Sequence, residues 1–466
     1  MSETVSLAEA RRARSGGPAD DEPPSNRPPE FSDDALALRF TEAHGGELRY
    51  VAAWGKWLEW DNTRWRFDST LHAFDRSRLI CRAAAADAPN VKIGEDVASA
   101  RTVAAIEKLA RADRRHAATI DAFDRDPWLL NTPGGTVDLR SGKLRPHDRA
   151  DLITKSTVAA PGGNCPQWRA FLDRVTAGDV DLARFLRRIA GYALTGTTRE
   201  HALFFAHGTG ANGKGVFINT LTKLLGDYAV VAPADTFTSA SDRHPTDLAM
   251  LRGARLVTAQ ETEEGRAWAE AKIKSLTGGD PISARFMRQD FFTFQPQFKL
   301  LIAGNHKPSL RNVDEAIRRR FHLLPFTVTV PEEERDQGLP DKLAAEWPGI
   351  LAWAIEGCLE WQRIGLYPPQ SVTEATDKYL AEEDSFETWI SERAARDPRA
   401  WETVGELFGS WTTWAEKAGE KAWTKKRFAQ TLEARGFEAG KVRGERGYFG
   451  LRLNRPDYSE NWEPAP

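Results

Sequence analysis

The stretch Leu203-Phe204-Phe205-Ala206-His207-Gly208-Thr209-Gly210-Ala211-Asn212-Gly213-Lys214-Gly215, running on to Gly226, decides the reading of this chain. Its apolar start has the composition of a strand buried on both faces. The glycines let successive backbone N–H groups turn inward, and Val216, Phe217, Leu221, Leu224 and Leu225 then recur at helical spacing. Strand, glycine loop and helix in that order are the context of a phosphate loop, where amides and a helix N-terminus surround phosphate oxygens. The expected nucleotide-binding residues are therefore Gly208, Thr209, Gly210, Ala211, Asn212, Gly213, Lys214 and Gly215, with Lys214 reaching the β- and γ-phosphates. Gly215 stands where Ser or Thr normally offers a hydroxyl to Mg2+. Two outcomes stay open. Either nucleotide oxygens, water and a downstream acid hold the metal, or the site binds nucleotide and hydrolyses it poorly.

Hydrolysis also needs an acid near the metal and the attacking water, a polar group on the γ-phosphate and an external cation. Each has a candidate at the end of an apolar run, where ligands of α/β sheets collect. Ala254 to Ala259 ends at Gln260-Glu261, so Glu261 is the expected metal or water-polarising carboxylate. Phe298 to Ala303 ends at Gly304-Asn305, which puts an amide at the γ-phosphate position. Arg318-Arg319-Arg320 precedes Phe321 to Phe326; Arg319 and Arg320 are the preferred arginine fingers, against the plainer reading of a solvated helix end. The intervals Lys214 to Glu261, Glu261 to Asn305 and Asn305 to Arg319 are 47, 44 and 14 residues, a compact catalytic core.

Outward from this core, 466 residues allow about three domains. A balance of 64 basic against 67 acidic side chains excludes a nucleic-acid coat, so any such contact must be local. Cys81, Cys165 and Cys358 are too scattered for a disulfide framework or a zinc knuckle. No apolar run approaches the ~20 residues of a membrane span, and the expectation is a soluble cytoplasmic protein. Residues 1–34 read as a disordered, proline-bearing tail, and 35–195 as a first mixed α+β domain. Within it, Lys56–Trp60 and Trp65–Phe67 flank an Asp-Asn turn as a hairpin whose tryptophans read as core, and 98–123 and 167–193 read as helical. Residues 196–335 form the expected core, 336–395 a helical connector and 396–466 a small basic unit. Its stretch 421–455 holds ten Lys/Arg against three acids. Helix, helix and a basic hairpin around Arg443-Gly444 suggest a winged helix that touches DNA through Lys425, Lys426, Arg427, Arg443 and Arg446.

The ordered motifs resemble those of superfamily-3 helicases, in particular the phage/plasmid primase–helicase group related to the satellite-phage alpha protein and the poxvirus helicase-primase. The likeness rests on the glycine loop, Ala254-Arg255-Leu256-Val257 before Glu261, and Lys274 to Arg285. It continues through Asn305-His306-Lys307-Pro308 and Arg319-Arg320, and in Asp126 to Asn131, Asp138-Leu139 and Gly191 to Gly196. The resemblance implies an AAA+-like P-loop ATPase core of α/β class, behind a mixed α+β helicase-associated region and ahead of the winged helix. It implies a hexameric ring that uses ATP and Mg2+ to move on single-stranded and forked DNA during phage, prophage or plasmid replication, in a bacterial cell or an infected host. A DNA-gripping hairpin between Glu261 and Asn305 would draw on Lys272, Lys274, Arg285 and Arg288, although Lys272 and Lys274 also fit a helix's wet face. Gln260 departs from the pattern, being acidic in many such ATPases. No primase-type acidic pair is legible, so a primase is expected as a separate partner. Two rivals stay open: a DNA-stimulated ATPase that remodels or loads replication proteins, and a non-hydrolysing origin-binding protein.

Overall fold

The run Leu203–His207 lies inside a five-stranded parallel sheet in the computed structural model, which describes residues 28–239, 246–260, 266–286, 290–310, 313–419 and 423–454. Across the sheet the order is Phe321–Pro325, Leu203–His207, Lys299–Gly304, Leu256–Ala259 and Ala229–Val231. Successive residues of a strand point to opposite faces. Phe204, Ala206, Leu301 and Ala303 accordingly join one buried core, and Leu203, Phe205, Leu300 and Ile302 the other. With both faces covered, these strands need no polar alternation.

The chain divides into two units. One comprises residues up to Arg125 together with Arg149–Thr154; the other comprises Asp126–Asp148 and everything from Lys155. The expected domain 35–195 is thus split, because residues 166–194 bury their apolar faces in the core of the parallel sheet.

In the first unit, Leu48–Val51, Lys56–Trp60 and Trp65–Phe67 form an antiparallel meander. Asp61 Oδ1 accepts from the Thr63 and Arg64 amides, and Asn62 takes a φ of 73°, which makes the expected turn. Trp57 and Trp65 are buried, in keeping with their reading as core. The expected helix 98–123 stops at Ala110. Pairing wins over helix propensity there: Ala117–Ala118 runs parallel to Leu48–Val51, and the Tyr50 amide donates to His116 O at 2.7 Å.

In the second unit, the expected helical stretch 167–193 is two helices, Pro166–Val175 and Val180–Leu194. Asp179 caps the second by accepting from the amides of Asp181 and Leu182. Helix Val180–Leu194 packs closely on Trp347–Ile364. A Cβ on Gly191 would lie 2.0 Å from Cys358 N, and one on Gly357 would lie 2.1 Å from Arg187 O. Only glycine permits that approach. Arg255 and Lys299 are buried and hold the segment after Gly191 to the sheet. Arg255 donates to Leu194 O and Leu129 O, and Lys299 to Thr195 O and Thr197 O.

Past helix Gln370–Glu382, helix Ser385–Arg393 leads into strand Ala394–Thr403, helices Val404–Lys417 and Lys425–Ala434, and the hairpin Ala439–Val442/Glu445–Leu453. The expected boundary at 395/396 falls inside a strand. Phe386, Trp389 and Ile390 already belong to the C-terminal core with Trp411 and Phe428, so this module begins near 385. Among the described residues no helix is long and apolar enough to cross a membrane.

Candidate functional site

Helix Lys214–Leu225 begins directly behind Gly213, whose φ of 83° reverses the chain out of the loop. The apolar face of that helix packs on the sheet through Phe217, Ile218, Leu221 and Leu225, so the fold fixes where its first residue sits. Lys214 Nζ donates to Gly208 O (2.6 Å), Asn212 Oδ1 (3.0 Å) and Asn305 Oδ1 (3.1 Å). Asn305 leaves the neighbouring strand, so the two expected phosphate-facing residues, 91 positions apart, meet at one point. The loop is held from behind: Asn212 Nδ2 donates to Phe326 O (3.1 Å) and the Val330 amide to Ala211 O (2.8 Å). A side chain on Gly208 would strike Phe326 O at 2.1 Å.

Lys214 is buried, and burial lowers its pKa from the ordinary lysine value. Its three acceptors are neutral oxygens, so no carboxylate among them offsets the ammonium. Burial, with Lys307 and Lys214 nearby, also lowers the pKa of the His207 imidazole. The recess is a cavity of about 360 Å³, whose lining includes Gly210, Asn212, Lys214, Gly215, Gln260 and Asn305. A second cavity of about 470 Å³ shares Ala211, Gly213 and Val216 with it and is walled by Phe171, Val175, Val330 and Leu339. Of its charged lining residues, Arg174 pairs with Glu334 and Asp336 with Lys342 (2.6 Å), and Arg335 Nε donates to Val330 O (3.0 Å). The two cavities thus adjoin across the wall formed by Ala211, Gly213 and Val216.

The remaining expected residues lie as follows. Glu261 and Arg288 fall outside the described residues. Arg319 is exposed, whereas Arg320 is buried and donates to Ala316 O at 2.9 Å. Of the two expected fingers, Arg319 presents its side chain to solvent and Arg320 is turned inward. Lys272 is half-buried, and Lys274 pairs with Asp314 at 2.5 Å, tying helix Glu270–Gly278 to the cap of helix Glu315–Arg318. Arg285 is exposed on the hairpin Ile282–Ala284/Phe292–Phe294, over the ring of exposed Phe291. Lys425, Lys426, Arg427, Arg443 and Arg446 are all exposed. A groove of about 660 Å³ between the helix Lys425–Ala434 and the hairpin is lined by Lys425, Lys426, Lys441 and Arg446. Among the described residues no cluster of three or more His, Cys, Asp or Glu could by itself hold a metal.

Sequence reading missed the acidic run Glu382-Glu383-Asp384. Glu382 pairs with Lys307, Glu383 accepts from the Leu310 amide, and buried Asp384 pairs with both Arg318 and Arg435. The loop after Asn305 and the arginine run are thereby pinned to the start of the C-terminal module. Three consecutive acids closing an amphipathic helix were the available signal. The second cavity was also missed, because its walls come from segments around 171 and 330–339 that carry no motif.

Fold and site together define an α/β protein with a lysine-bearing glycine loop at the carboxyl edge of a parallel sheet. The family described as "D5 N terminal like" matches residues 37–177, and a family of unknown function, DUF5906, matches 206–320. The chain is 27% identical over 321 residues to "Putative helicase 022R" of Frog virus 3, covering 63% of this chain and 31% of that protein. It is 24% identical over 300 residues to "Putative helicase L207/L206" of Acanthamoeba polyphaga mimivirus, covering 59% and 31%. It thus spans about a third of the length of these relatives. The apo structure of the NrS-1 C-terminal region shares the fold at a TM-score of 0.50 and 12% identity, over 90% of this chain and 99% of that one. The first part of the chain is thus similar to the D5 N-terminal-like family, and these viral relatives carry the name "Putative helicase".

Proposed function

We propose that this chain is the motor of a replicative DNA helicase. ATP binds with its triphosphate in the loop Gly208–Gly215 and its base in the adjoining apolar cavity. The observation that carries this reading is the meeting of Lys214 Nζ and Asn305 Oδ1 at 3.1 Å across a phosphate-sized recess. Entry of a triphosphate would draw the ammonium from its neutral oxygens onto phosphate oxygens, where charge-assisted bonds are about twice as strong. Asn305 would hold the γ-phosphate as Glu261 polarises the attacking water. Glu261 would be among the residues holding Mg2+, which would supply charge neutralisation at the phosphates. Arg319, exposed beside the sheet, would act as the finger on a neighbouring subunit of a hexameric ring; such a finger adds ~10³–10⁵ in rate.

The DNA-facing parts of this proposal are two. The hairpin 282–294 carries Arg285 and Phe291 outward, a cation and an aromatic face suited to a single strand's phosphates and bases. The C-terminal order of helix, strand, helix, helix and basic hairpin, with cations on both walls of its groove, supports the winged-helix reading. Strand separation on a forked duplex, measured beside phosphate release, tests the reading. Wild type is expected to do both, and Lys214→Ala and Glu261→Gln neither. Equal activity in all three would remove the proposed site, and ATP turnover without strand separation would favour a DNA-stimulated remodelling ATPase.

A further inference from the structure

Two departures from the phosphate-loop pattern meet in space. Gly215 lacks the hydroxyl that usually turns toward the metal, and a Cβ built there would meet a single neighbour within 4 Å, Gln260 Oε1 at 3.9 Å. Gln260 is itself the second departure, an amide at a position often acidic, and it lines the same cavity as the loop. Its Nε2 donates to Asn219 Oδ1 at 2.7 Å, and Oε1 is directed toward the space beside Gly215. Asn219 is four residues beyond Gly215 on helix Lys214–Leu225, hence on the same helical face. The vacant side-chain position at 215 is therefore bounded by a neutral oxygen that a second amide holds in place.

We infer that the Gln260 carboxamide oxygen, positioned by Asn219, substitutes for the missing hydroxyl at residue 215 and binds the divalent cation or its bound water. This rests on the phosphate-loop reading and deepens it. An amide oxygen is a chemically apt donor, since hard cations take oxygen ligands, and Mg2+ keeps several waters and needs few protein groups. Gly215 leaves room for a hydrated ion, and an amide oxygen adds no charge beside Lys214. Gln260 would be the contacting group. Asn219, acting through it, is a positioning residue.

The test is the Mg2+ dependence of equilibrium binding of a fluorescent ATP analogue, read without turnover and repeated in EDTA. Loss of outer-shell partners typically costs 10–100-fold in metal affinity. Gln260→Ala is expected to raise the half-saturating Mg2+ about tenfold while binding in EDTA stays as in wild type. Asn219→Ala is expected to raise it by a smaller factor. Gly215→Thr, introduced into the Gln260→Ala protein, is expected to restore it, since the hydroxyl returns to the place the amide vacated. Unchanged Mg2+ dependence in Gln260→Ala, or equal weakening with and without metal, would overturn the inference. A wild-type chain that binds no nucleotide under either condition would instead strike the phosphate-loop reading on which it rests.

Discussion

Replacing Lys214 with methionine separates a functional lysine from a structural one. The ammonium makes three hydrogen bonds to neutral oxygens, two of them on Asn212 and Asn305, which line a cavity open to water. Removing it relieves a buried charge while those oxygens regain solvent, so the two effects offset. The expected change in apo stability is within about 1 kcal/mol. Nucleotide binding behaves differently, because each charge-assisted bond to phosphate contributes about 1.5–3 kcal/mol, roughly 10- to 150-fold in Kd. Thermal unfolding with and without ATP reads both quantities. At ATP 1,000-fold above the wild-type Kd, ligand stabilisation is about 4 kcal/mol; a hundredfold weaker variant keeps about 1.4 kcal/mol. Lys214→Met should therefore melt near wild type alone and lose most of the ATP-induced rise. A variant that unfolds alone by several kcal/mol, yet retains the full rise with ATP, would refute the reasoning.

Other predictions follow from the same packing. His322 stacks on Phe204 and meets Phe185 edge-on, and burial lowers its pKa from 6.5 to about 4. The unfolded chain takes up a proton as pH falls through 6.5 and the folded one does not, so stability is lost between pH 6.5 and 4. The loss is about 2 kcal/mol by pH 5, and His322→Phe should flatten that part of a Tm-against-pH profile. Gly191→Ala places a methyl against the Cys358 backbone; it should cost about 1–3 kcal/mol, and a Tm unchanged from wild type would contradict the close helix contact. Val330→Trp fills the apolar cavity and should weaken ATP binding about tenfold, the scale of one lost base contact. Inorganic tripolyphosphate should bind the variant as it binds wild type, and calorimetry with both ligands checks the difference.

The parallel sheet was legible because its strands are buried on both faces. Leu203–Ala206 and Leu300–Ala303 leave the alternation rule nothing to act on and read as unbroken apolar runs. The meeting of Lys214 with Asn305 was legible for a related reason, since loops at the carboxyl ends of adjacent parallel strands converge. What escaped depends on partners distant in sequence. Helix propensity carried residues 98–123 forward, and only the pairing of Ala117–Ala118 with Leu48–Val51 ends the helix at Ala110. Arg320 and Lys274 were indistinguishable from their cationic neighbours until the positions of Ala316 and Asp314 showed where each is engaged. Asp384 likewise has meaning only with Arg318 and Arg435 in place.

Photolabelling with 8-azido-ATP followed by peptide mapping addresses the central claim most directly, because two cationic cavities formed by the described residues compete as sites for a triphosphate. One is the loop recess with its apolar annex; the other is the cationic groove of the C-terminal module. Labelled peptides should contain Phe171–Val175 or Val330–Leu339, and excess unlabelled ATP should suppress them. Labelling confined to peptides between Lys425 and Tyr448 would place the nucleotide in the wrong half of the molecule and contradict the account.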